Sequence, residues 1–237
     1  MMYFSSFSGI QTPIAKSNII AHRGCWNTGA GENTVAALLL AGRLGIYGSE
    51  FDVRLTGDNI PVVNHDKDTH GFDIHVANYA ELKSAAPELP TLADFLENGK
   101  NLTIKMILEL KPHGTAARDR EAASVVVKMV QEFGMAERVE YITFSLEAGK
   151  EIIRLAPKER VSYLSGNLPP AELKKIGFTG MDYPLDVMLE RKEYFAEAKK
   201  NGLAINIWTV NNPALAKKLI SNGADFITTD EPELCLR

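Results

Sequence analysis

The amino-acid sequence predicts an α/β fold, a single (β/α)8 barrel with an extra β-hairpin strand after its second strand. Short strand-like segments alternate with amphipathic helical segments along the chain, which is typical of a parallel sheet. Eight such strand–helix units fit within 237 residues, and this length is typical of one closed barrel. Glycines follow several of the helical segments, where a residue in the left-handed conformation commonly ends a helix.

The strands and helices can be assigned in order along the chain. The first unit is the β-like segment 18–22 with the Ala/Leu-rich helix 34–44, and the second strand is 50–55, where polar and apolar residues alternate. Six further strands are predicted at 107–110, 139–144, 161–164, 180–183, 204–210 and 225–229. The helical segments that follow them are 118–133, 146–155, 170–176, 192–201, 213–221 and the short tail 232–236.

The extra strand is predicted at 60–65, four residues after the second strand ends. Such a connection is too short for a parallel crossover, so the segment returns beside the second strand as a hairpin. Asn59 is expected to have a positive φ in the turn, because asparagine tolerates that conformation. If Leu55 faces Ile60, His65 lies opposite Glu50, to within one residue of register.

Composition and charge exclude several classes of protein. Hydrophobic residues make up 45% of the chain and the formal net charge is −4, with no run of lysine or arginine, so a nucleic-acid-binding surface is not expected. No segment reaches the roughly 18 apolar residues of a transmembrane helix, and the chain is expected to be soluble. Residues 1–17 are predicted to be a flexible N-terminal segment and 18–237 a single domain. The two cysteines are predicted to be reduced thiols, and the cellular compartment and the oligomeric state stay open.

Three carboxylates are predicted to meet at one end of the barrel. Glu50 and Asp52 are two residues apart on a strand and therefore point to the same side, and Glu109 and Lys111 repeat this spacing on the next barrel strand. Oxygen ligands of this kind suit one hard divalent cation, Mg²⁺ or Ca²⁺. The alternative is that Glu50 and Asp52 are ordinary solvated strand residues.

Two histidines end strands at the same predicted barrel mouth. His22 ends the first strand and His65 ends the hairpin, and two histidines can act as a general acid and base near neutral pH. Arg23 offers a planar guanidinium and Lys111 a point charge, and both can neutralise a phosphate group. These residue types together favour phosphoryl chemistry.

The functions of some other residues stay open at this point. Asn33 and Thr34 are consistent with capping of the first helix, and Glu32 could also reach the mouth. Trp208 ends the seventh strand, where it could form a wall of the substrate pocket or pack in the core. The remaining histidines, His70, His75 and His113, are not predicted to be catalytic.

These segments resemble the glycerophosphodiester phosphodiesterase family of phospholipase-C-like TIM barrels. The resemblance rests on IIAHRG (19–24), ENT (32–34), EFDVRLTGDNIPVVNHD (50–66), LELKP (108–112), WTV (208–210) and DFITTD (225–230). It implies metal-dependent hydrolysis of glycerophosphodiesters to glycerol 3-phosphate and an alcohol. It implies that His22 and His65 are the acid and base, that Glu50, Asp52 and Glu109 bind the metal, and that Arg23 and Lys111 hold the phosphate. Trp208 is the candidate for a further substrate contact, from its position at the end of the seventh strand.

The sequence departs from the family pattern in two places. Gly31 stands where many members have proline, and the segment after His65-Asp66 lacks the Arg-Thr element and the longer insertion of many members. A more open mouth is expected from the shorter insertion. Two alternatives are a related phosphodiesterase acting on lysophospholipids and a non-catalytic barrel that binds glycerophosphodiesters. The presence of both histidines and all three carboxylates argues against the non-catalytic alternative.

Overall fold

The structure, a computed structural model, describes residues 14–236. Eight parallel strands form a closed ring with helices between them, which confirms the predicted barrel. The strands are β1 (Ile19–Ala21), β2 (Gly48–Leu55), β3 (Pro61–Val63), β4 (Asp68–Thr69), β5 (Phe72–Asp73), β6 (Lys105–Leu110), β7 (Val139–Thr143), β8 (Val161–Tyr163), β9 (Gly180–Pro184), β10 (Ala204–Trp208) and β11 (Phe226–Thr229). The helices are α1 (Val35–Leu44), α2 (Tyr79–Ala85), α3 (Leu92–Gly99), α4 (Ala116–Glu132), α5 (Leu146–Leu155), α6 (Pro170–Ile176), α7 (Leu185–Glu190), α8 (Glu193–Asn201), α9 (Pro213–Ser221) and α10 (Pro232–Cys235).

The order of the strands brings β1, β2 and β6, which lead to the predicted site residues, next to one another in the ring. Around the ring the order is β1, β2, β6, β7, β8, β9, β10 and β11, and β1 closes the ring by pairing with both β2 and β11. All eight strands are parallel, so their carboxyl ends open at one face of the barrel. Strand β3 pairs with β2 outside the ring, and β4 and β5 form a separate two-stranded hairpin.

The hairpin between β2 and β3 forms as predicted, but its register differs from the expected one by one residue. Leu55 faces Pro61 and Val53 faces Val63, so the ladder does not pair Leu55 with Ile60. The reason is that Ile60 belongs to the turn: its N–H donates to Thr56 Oγ1 at 2.9 Å and its carbonyl accepts from Thr56 N at 3.0 Å. The positive φ predicted for Asn59 is confirmed, at 68°.

Three helices were not predicted from the sequence. Helices α2 and α3 follow the hairpins, and each begins with a capping box, Asn78 with Glu81 and Thr91 with Asp94. Helix α7 directly follows β9 and precedes α8. All three are eight residues or shorter, which makes their hydrophobic periodicity hard to recognise.

The N-terminal segment is described only in part. Residues 1–13 of the segment predicted to be flexible lie outside the described residues. Ile14 is buried, and Lys16–Asn18 forms one 3-10 turn whose Lys16 carbonyl accepts a hydrogen bond from Tyr47 N at 2.9 Å. Within residues 14–236, every helix is too short or too polar to cross a bilayer.

The two faces of the barrel strands are packed differently. Phe51, Val53 and Leu55 are fully buried in the apolar layer between strands and helices, where the Phe51 ring lies 4.8 Å from the Phe95 ring of α3. Burial of each such side chain contributes roughly 1.5–3 kcal/mol to folding. Since side chains alternate along a strand, Glu50 and Asp52 face the barrel interior. The packing of the outer face thus determines where these carboxylates point.

The turn between β1 and α1 requires a glycine. Gly24 has a φ of 82°, and a Cβ atom there would lie 2.6 Å from Ala37 Cβ and 2.8 Å from the Ala37 carbonyl carbon. Cys25 N also donates to Ala37 O at 3.1 Å, which holds the turn against α1. The close approach places His22 and Arg23 at the barrel mouth.

We expect Gly24→Ala to destabilise the protein more than Gly45→Ala does. Gly45 ends α1 with a φ of 63°, and a Cβ atom there would have no neighbour within 4 Å, so its replacement costs only the left-handed conformation, about 1–2 kcal/mol. Gly24→Ala adds steric overlap with Ala37, which costs roughly a further 1–3 kcal/mol. Urea denaturation of both variants measures the difference, and equal losses would show that the turn can move away from α1.

Candidate active site

One cavity at the carboxyl ends of the strands contains most of the residues selected from the sequence. Its volume is about 250 Å³. Its polar side combines carboxylates with basic side chains, and its other side is apolar. The lining residues are His22, Arg23, Glu50, His65, Glu109, Lys111, Ile142, Phe144, Leu164, Asp182, Trp208, Thr209 and Thr228.

The three carboxylates predicted to bind a metal lie together. Glu50 and Asp52 are on β2, Glu109 is on β6, and Asp52 and Glu109 are paired in the parallel ladder. One oxygen from each of the three residues lies within 4.8 Å of the others. The residues are only 2%, 1% and 7% exposed, respectively, so they are not solvated surface groups. This triad can hold a metal ion.

Lys111 neutralises part of the triad. Its Nζ lies 2.8 Å from Asp52 Oδ1 and 2.7 Å from Glu109 Oε1. Burial alone would lower the pKa of Lys111, but Glu109 and Asp52 outweigh that effect and raise it. Burial would likewise raise the pKa of Asp52, but Lys111 and a hydrogen bond from Asn33 lower it. Lys111 and Asp52 are therefore held as an ion pair.

The other two carboxylates, Glu50 and Glu109, lie among negative charges that the nearby basic groups do not fully neutralise. Burial, together with Asp52 and Glu109, raises the pKa of Glu50 well above its ordinary value. Burial and Asp52 also raise the pKa of Glu109, to about 8. Glu50 Oε1 is buried and has no hydrogen-bond partner among the described residues. A divalent cation fits this environment, because it would pair with that oxygen and keep all three carboxylates ionised.

Arg23 links β1 to the triad. Its backbone has a φ of 54°, and its N–H donates to Glu50 Oε2 at 2.8 Å. Its side chain donates from Nη1 to Glu32 Oε2 at 2.7 Å, and its Nε lies 3.6 Å from Asp52 Oδ2. Glu32 therefore reaches the mouth, which the sequence had left open. The guanidinium is oriented by carboxylates on both sides.

The two histidines are each hydrogen-bonded to an aspartate. His22 Nδ1 lies 2.7 Å from Asp230 Oδ1, and His65 Nδ1 lies 2.9 Å from Asp66 Oδ1. A carboxylate can only accept, so each Nδ1 carries the proton and each Nε2 is the nitrogen available for proton transfer. His22 is half-buried, whereas the His65 side chain is 38% exposed.

Two polar residues of this site were not identified from the sequence. Asn33 was interpreted as a helix cap, but its Nδ2 donates to Asp52 Oδ2 at 2.8 Å and its Oδ1 accepts from Asp52 N at 3.0 Å. The capping role belongs to Thr34, whose side chain accepts from Ala37 N. Asp230 orients His22, and its position at the end of the last barrel strand was the signal that could have identified it.

The apolar side of the cavity contains one more unexpected group. The rings of Phe144 and Trp208 meet edge to face at 5.7 Å, and Trp208 Nε1 donates to the Asp182 carbonyl at 2.9 Å. The Asp182 carboxyl is buried, which raises its pKa to about 7, and its Oδ1 has no hydrogen-bond partner among the described residues. Trp208 thus contributes to the wall of the cavity, and Asp182 adds a fourth buried carboxyl, on β9, opposite β2 in the ring.

Comparison with known proteins gives full-length matches. A glycerophosphodiester phosphodiesterase from Parabacteroides distasonis superposes with a TM-score of 0.89 at 45% identity, over 94% of this chain and 96% of that one. A glycerophosphodiester phosphodiesterase from Caldanaerobacter subterraneus subsp. tengcongensis is 28% identical over 92% of this chain and 96% of its own length. A phosphodiesterase from Oleispira antarctica, solved in complex with the product sn-glycerol-3-phosphate, has a TM-score of 0.77 at 25% identity, over 92% and 94% of the two chains.

A family model extends this similarity across the whole site. It matches residues 22–234, and this range begins at His22 and includes the triad, the hairpin and Asp230. The order of these motifs along the chain and their convergence at one barrel mouth are thus accounted for by common descent. The chain belongs to the glycerophosphoryl diester phosphodiesterase family.

Proposed function

We propose that this protein hydrolyses glycerophosphodiesters to glycerol 3-phosphate and an alcohol, with one divalent cation and with His22 and His65 as acid and base. The observation that carries the proposal is the presence of both histidines in one cavity with two members of the carboxylate triad, Glu50 and Glu109. The two full-length relatives named glycerophosphodiester phosphodiesterases support the reaction. The Oleispira antarctica enzyme with its bound product supports a small-molecule substrate.

Glu50, Asp52 and Glu109 are the proposed metal ligands. Their donor set is oxygen only, which favours Mg²⁺ or Ca²⁺ over softer metals. Bound there, such a cation would supply Lewis-acid stabilisation of negative charge on the phosphate. The short separation of the three oxygens and the buried, unpartnered Glu50 Oε1 are the features that support this assignment.

Arg23 and Lys111 are proposed to hold the phosphate. Both line the cavity, and both are already oriented by carboxylates, so little reorganisation is needed when the substrate binds. The guanidinium of Arg23 can donate two parallel hydrogen bonds to phosphate oxygens. Lys111 contributes a positive charge close to the same position.

His22 and His65 are the groups proposed to transfer protons. The base takes a proton from the attacking hydroxyl, and the acid gives a proton to the oxygen of the leaving alcohol, so charge balances within each step. The family resemblance implies that the neighbouring glycerol hydroxyl attacks first, which gives a cyclic phosphate that water then opens. In the second step the two histidines exchange roles. Asp230 and Asp66 accept hydrogen bonds from the two Nδ1 atoms and so select the tautomer in which Nε2 is free to transfer a proton.

The direct test is release of glycerol 3-phosphate from glycerophosphocholine, glycerophosphoethanolamine and glycerophosphoglycerol, each with Mg²⁺, Ca²⁺ or chelator. Metal-dependent release from at least one of the three is expected. Absence of release from all three, by folded protein with metal bound, would contradict the proposed substrate class. Parallel assays with a lysophospholipid would then test the alternative phosphodiesterase.

We expect His22→Ala and His65→Ala each to lower kcat by roughly 10²–10⁴-fold, because each removes a group that transfers a proton. Steady-state kinetics with circular dichroism of each variant measures this. His70→Asn is the matched control, because His70 is exposed, has a φ of 49° that asparagine tolerates, and contacts only surface groups, Thr69 Oγ1 at 3.1 Å and Glu88 at 3.8 Å, among the described residues. A folded His22→Ala protein with normal kcat would refute the role of that residue.

We also expect chelation to abolish activity and Mg²⁺ or Ca²⁺ to restore it. The cation competes with protons on carboxylates of raised pKa, so its affinity should fall as the pH is lowered from 8 to 6, below the pKa of about 8 at Glu109. Isothermal titration calorimetry over this pH range measures the effect. Glu109→Gln should bind the cation more weakly and with a shallower pH dependence. Full turnover in excess chelator, with metal analysis showing no bound metal, would show that the reaction does not need the cation.

A further inference from the structure

His65 lies just beyond the last ladder pair of the β2–β3 hairpin. Strand β3 ends at Val63, and Asn64 N still donates to the Asp52 carbonyl of β2 at 3.0 Å. The His65 ring is 38% exposed, and its Nδ1 partner is the adjacent and even more exposed Asp66. Neither the exposed ring nor its contact with Asp66 fixes the position of His65. The position of the ring therefore depends on what holds the His65 peptide.

Arg54 holds that peptide. It is a buried residue of β2, 9% exposed, two positions after Asp52. Its Nε and Nη2 both donate to the His65 carbonyl, at 3.0 and 2.6 Å. Two donors of one rigid guanidinium on a single oxygen determine both the distance and the direction of that carbonyl. Arg54 is not among the cavity-lining residues, so in the described structure it acts on His65 and not on the substrate.

The remaining nitrogen of the Arg54 guanidinium, Nη1, contacts His75. Arg54 Nη1 lies 3.2 Å from His75 Nε2. An arginine can only donate, so His75 Nε2 is the acceptor and this ring is neutral. Burial and the neighbouring Arg54 lower the pKa of His75, which is consistent with that state. The His75 ring stacks on His113, with a centroid distance of 4.5 Å.

His113 connects this arrangement to the barrel and its helices. Its ring Nε2 accepts from Leu55 N at 2.9 Å, and its backbone N–H donates to Asp119 Oδ1 at 2.6 Å. Asp119 Oδ2 in turn accepts from Ser145 Oγ at 2.5 Å. Burial, His75 and Arg54 lower the pKa of His113 to about 3, so its Nε2 stays available as an acceptor. The chain of contacts runs from α4 and α5 through two neutral histidines to Arg54.

We propose that Arg54 is a positioning residue that sets the location of His65, with His75 and His113 as its rigid support. This inference rests on the proposed function, in which His65 transfers a proton. It gives a role to two histidines that do not line the cavity. It also explains how a short connection after β3 can present an exposed catalytic side chain in a defined place. Proton transfer is sensitive to such placement, since a displacement of about 1 Å can cost on the order of 10²-fold in rate.

The test is a double-mutant cycle between Arg54 and His65. Arg54→Lys keeps the charge but cannot place two N–H groups on one carbonyl, and Arg54→Met removes the charge as well. We expect Arg54→Lys to lower kcat by about 10–100-fold with KM changed by no more than about twofold, and Arg54→Met to lower it further. In a His65→Ala background, the same substitutions should change the residual kcat by less than about twofold, because the residue through which they act is gone.

Arg118→Lys is the matched control. Arg118 also donates to a backbone carbonyl of this hairpin, that of Thr56 at 2.6 Å, and it contacts Asn59 in the turn, at the end remote from His65. Its replacement should lower the unfolding free energy to an extent similar to Arg54→Lys but leave kcat unchanged. A matching loss of kcat in Arg118→Lys would show that general loosening of the hairpin explains the effect, and would overturn the proposal.

A second measurement is independent of activity. The imidazole resonances of His65, assigned by their loss in His65→Ala, should shift or broaden in Arg54→Lys and stay unchanged in Arg118→Lys. Unchanged His65 resonances in Arg54→Lys, or equal losses of kcat in the wild-type and His65→Ala backgrounds, would overturn the proposal. If His65→Ala itself keeps full turnover, the acid–base assignment fails, and the resonances alone decide whether Arg54 positions His65.

Discussion

Three like-charged carboxylates are buried together at the barrel mouth, and the surrounding structure compensates for this arrangement. Lys111 bridges two of them, the Arg23 N–H donates to the third, and Asn33 binds Asp52 from both its amide atoms. The compensation is incomplete, because Glu50 and Glu109 keep raised pKa values. Such a cluster costs stability unless a cation completes it, and that is the physical reason to expect a metal here.

The barrel makes the cluster possible. Apolar residues at alternate positions of β2 are fixed in the core between strands and helices, and this forces the intervening carboxylates inwards. The parallel pairing of β2 with β6 then brings Asp52 beside Glu109. Each carboxylate is therefore placed by a strand that is itself held by the core, and the donor set has little freedom to move. A preorganised site of this kind favours electrostatic catalysis.

The histidines are placed in two different ways. His22 follows a barrel strand directly, and Asp230 at the end of the neighbouring strand β11 orients its ring. His65 lies outside the ring of strands, and its peptide is held by the side chain of Arg54 on β2, which in turn contacts His75. The first arrangement follows from the barrel topology, whereas the second depends on an additional polar network.

The sequence alone determined the barrel, the triad and the pair of histidines, because these follow from local alternation along strands and from the meeting of parallel strand ends at one face. It could not determine the hairpin register, since the side chain of Thr56 draws Ile60 into the turn and shifts the pairing by one residue. It could not identify Asn33 as a partner of Asp52, or His113 and His75 as supports of Arg54. Those contacts join residues from 19 to 58 positions apart. Only tertiary packing brings them within hydrogen-bonding distance, and the local periodicity of the sequence does not indicate which distant residues come into contact.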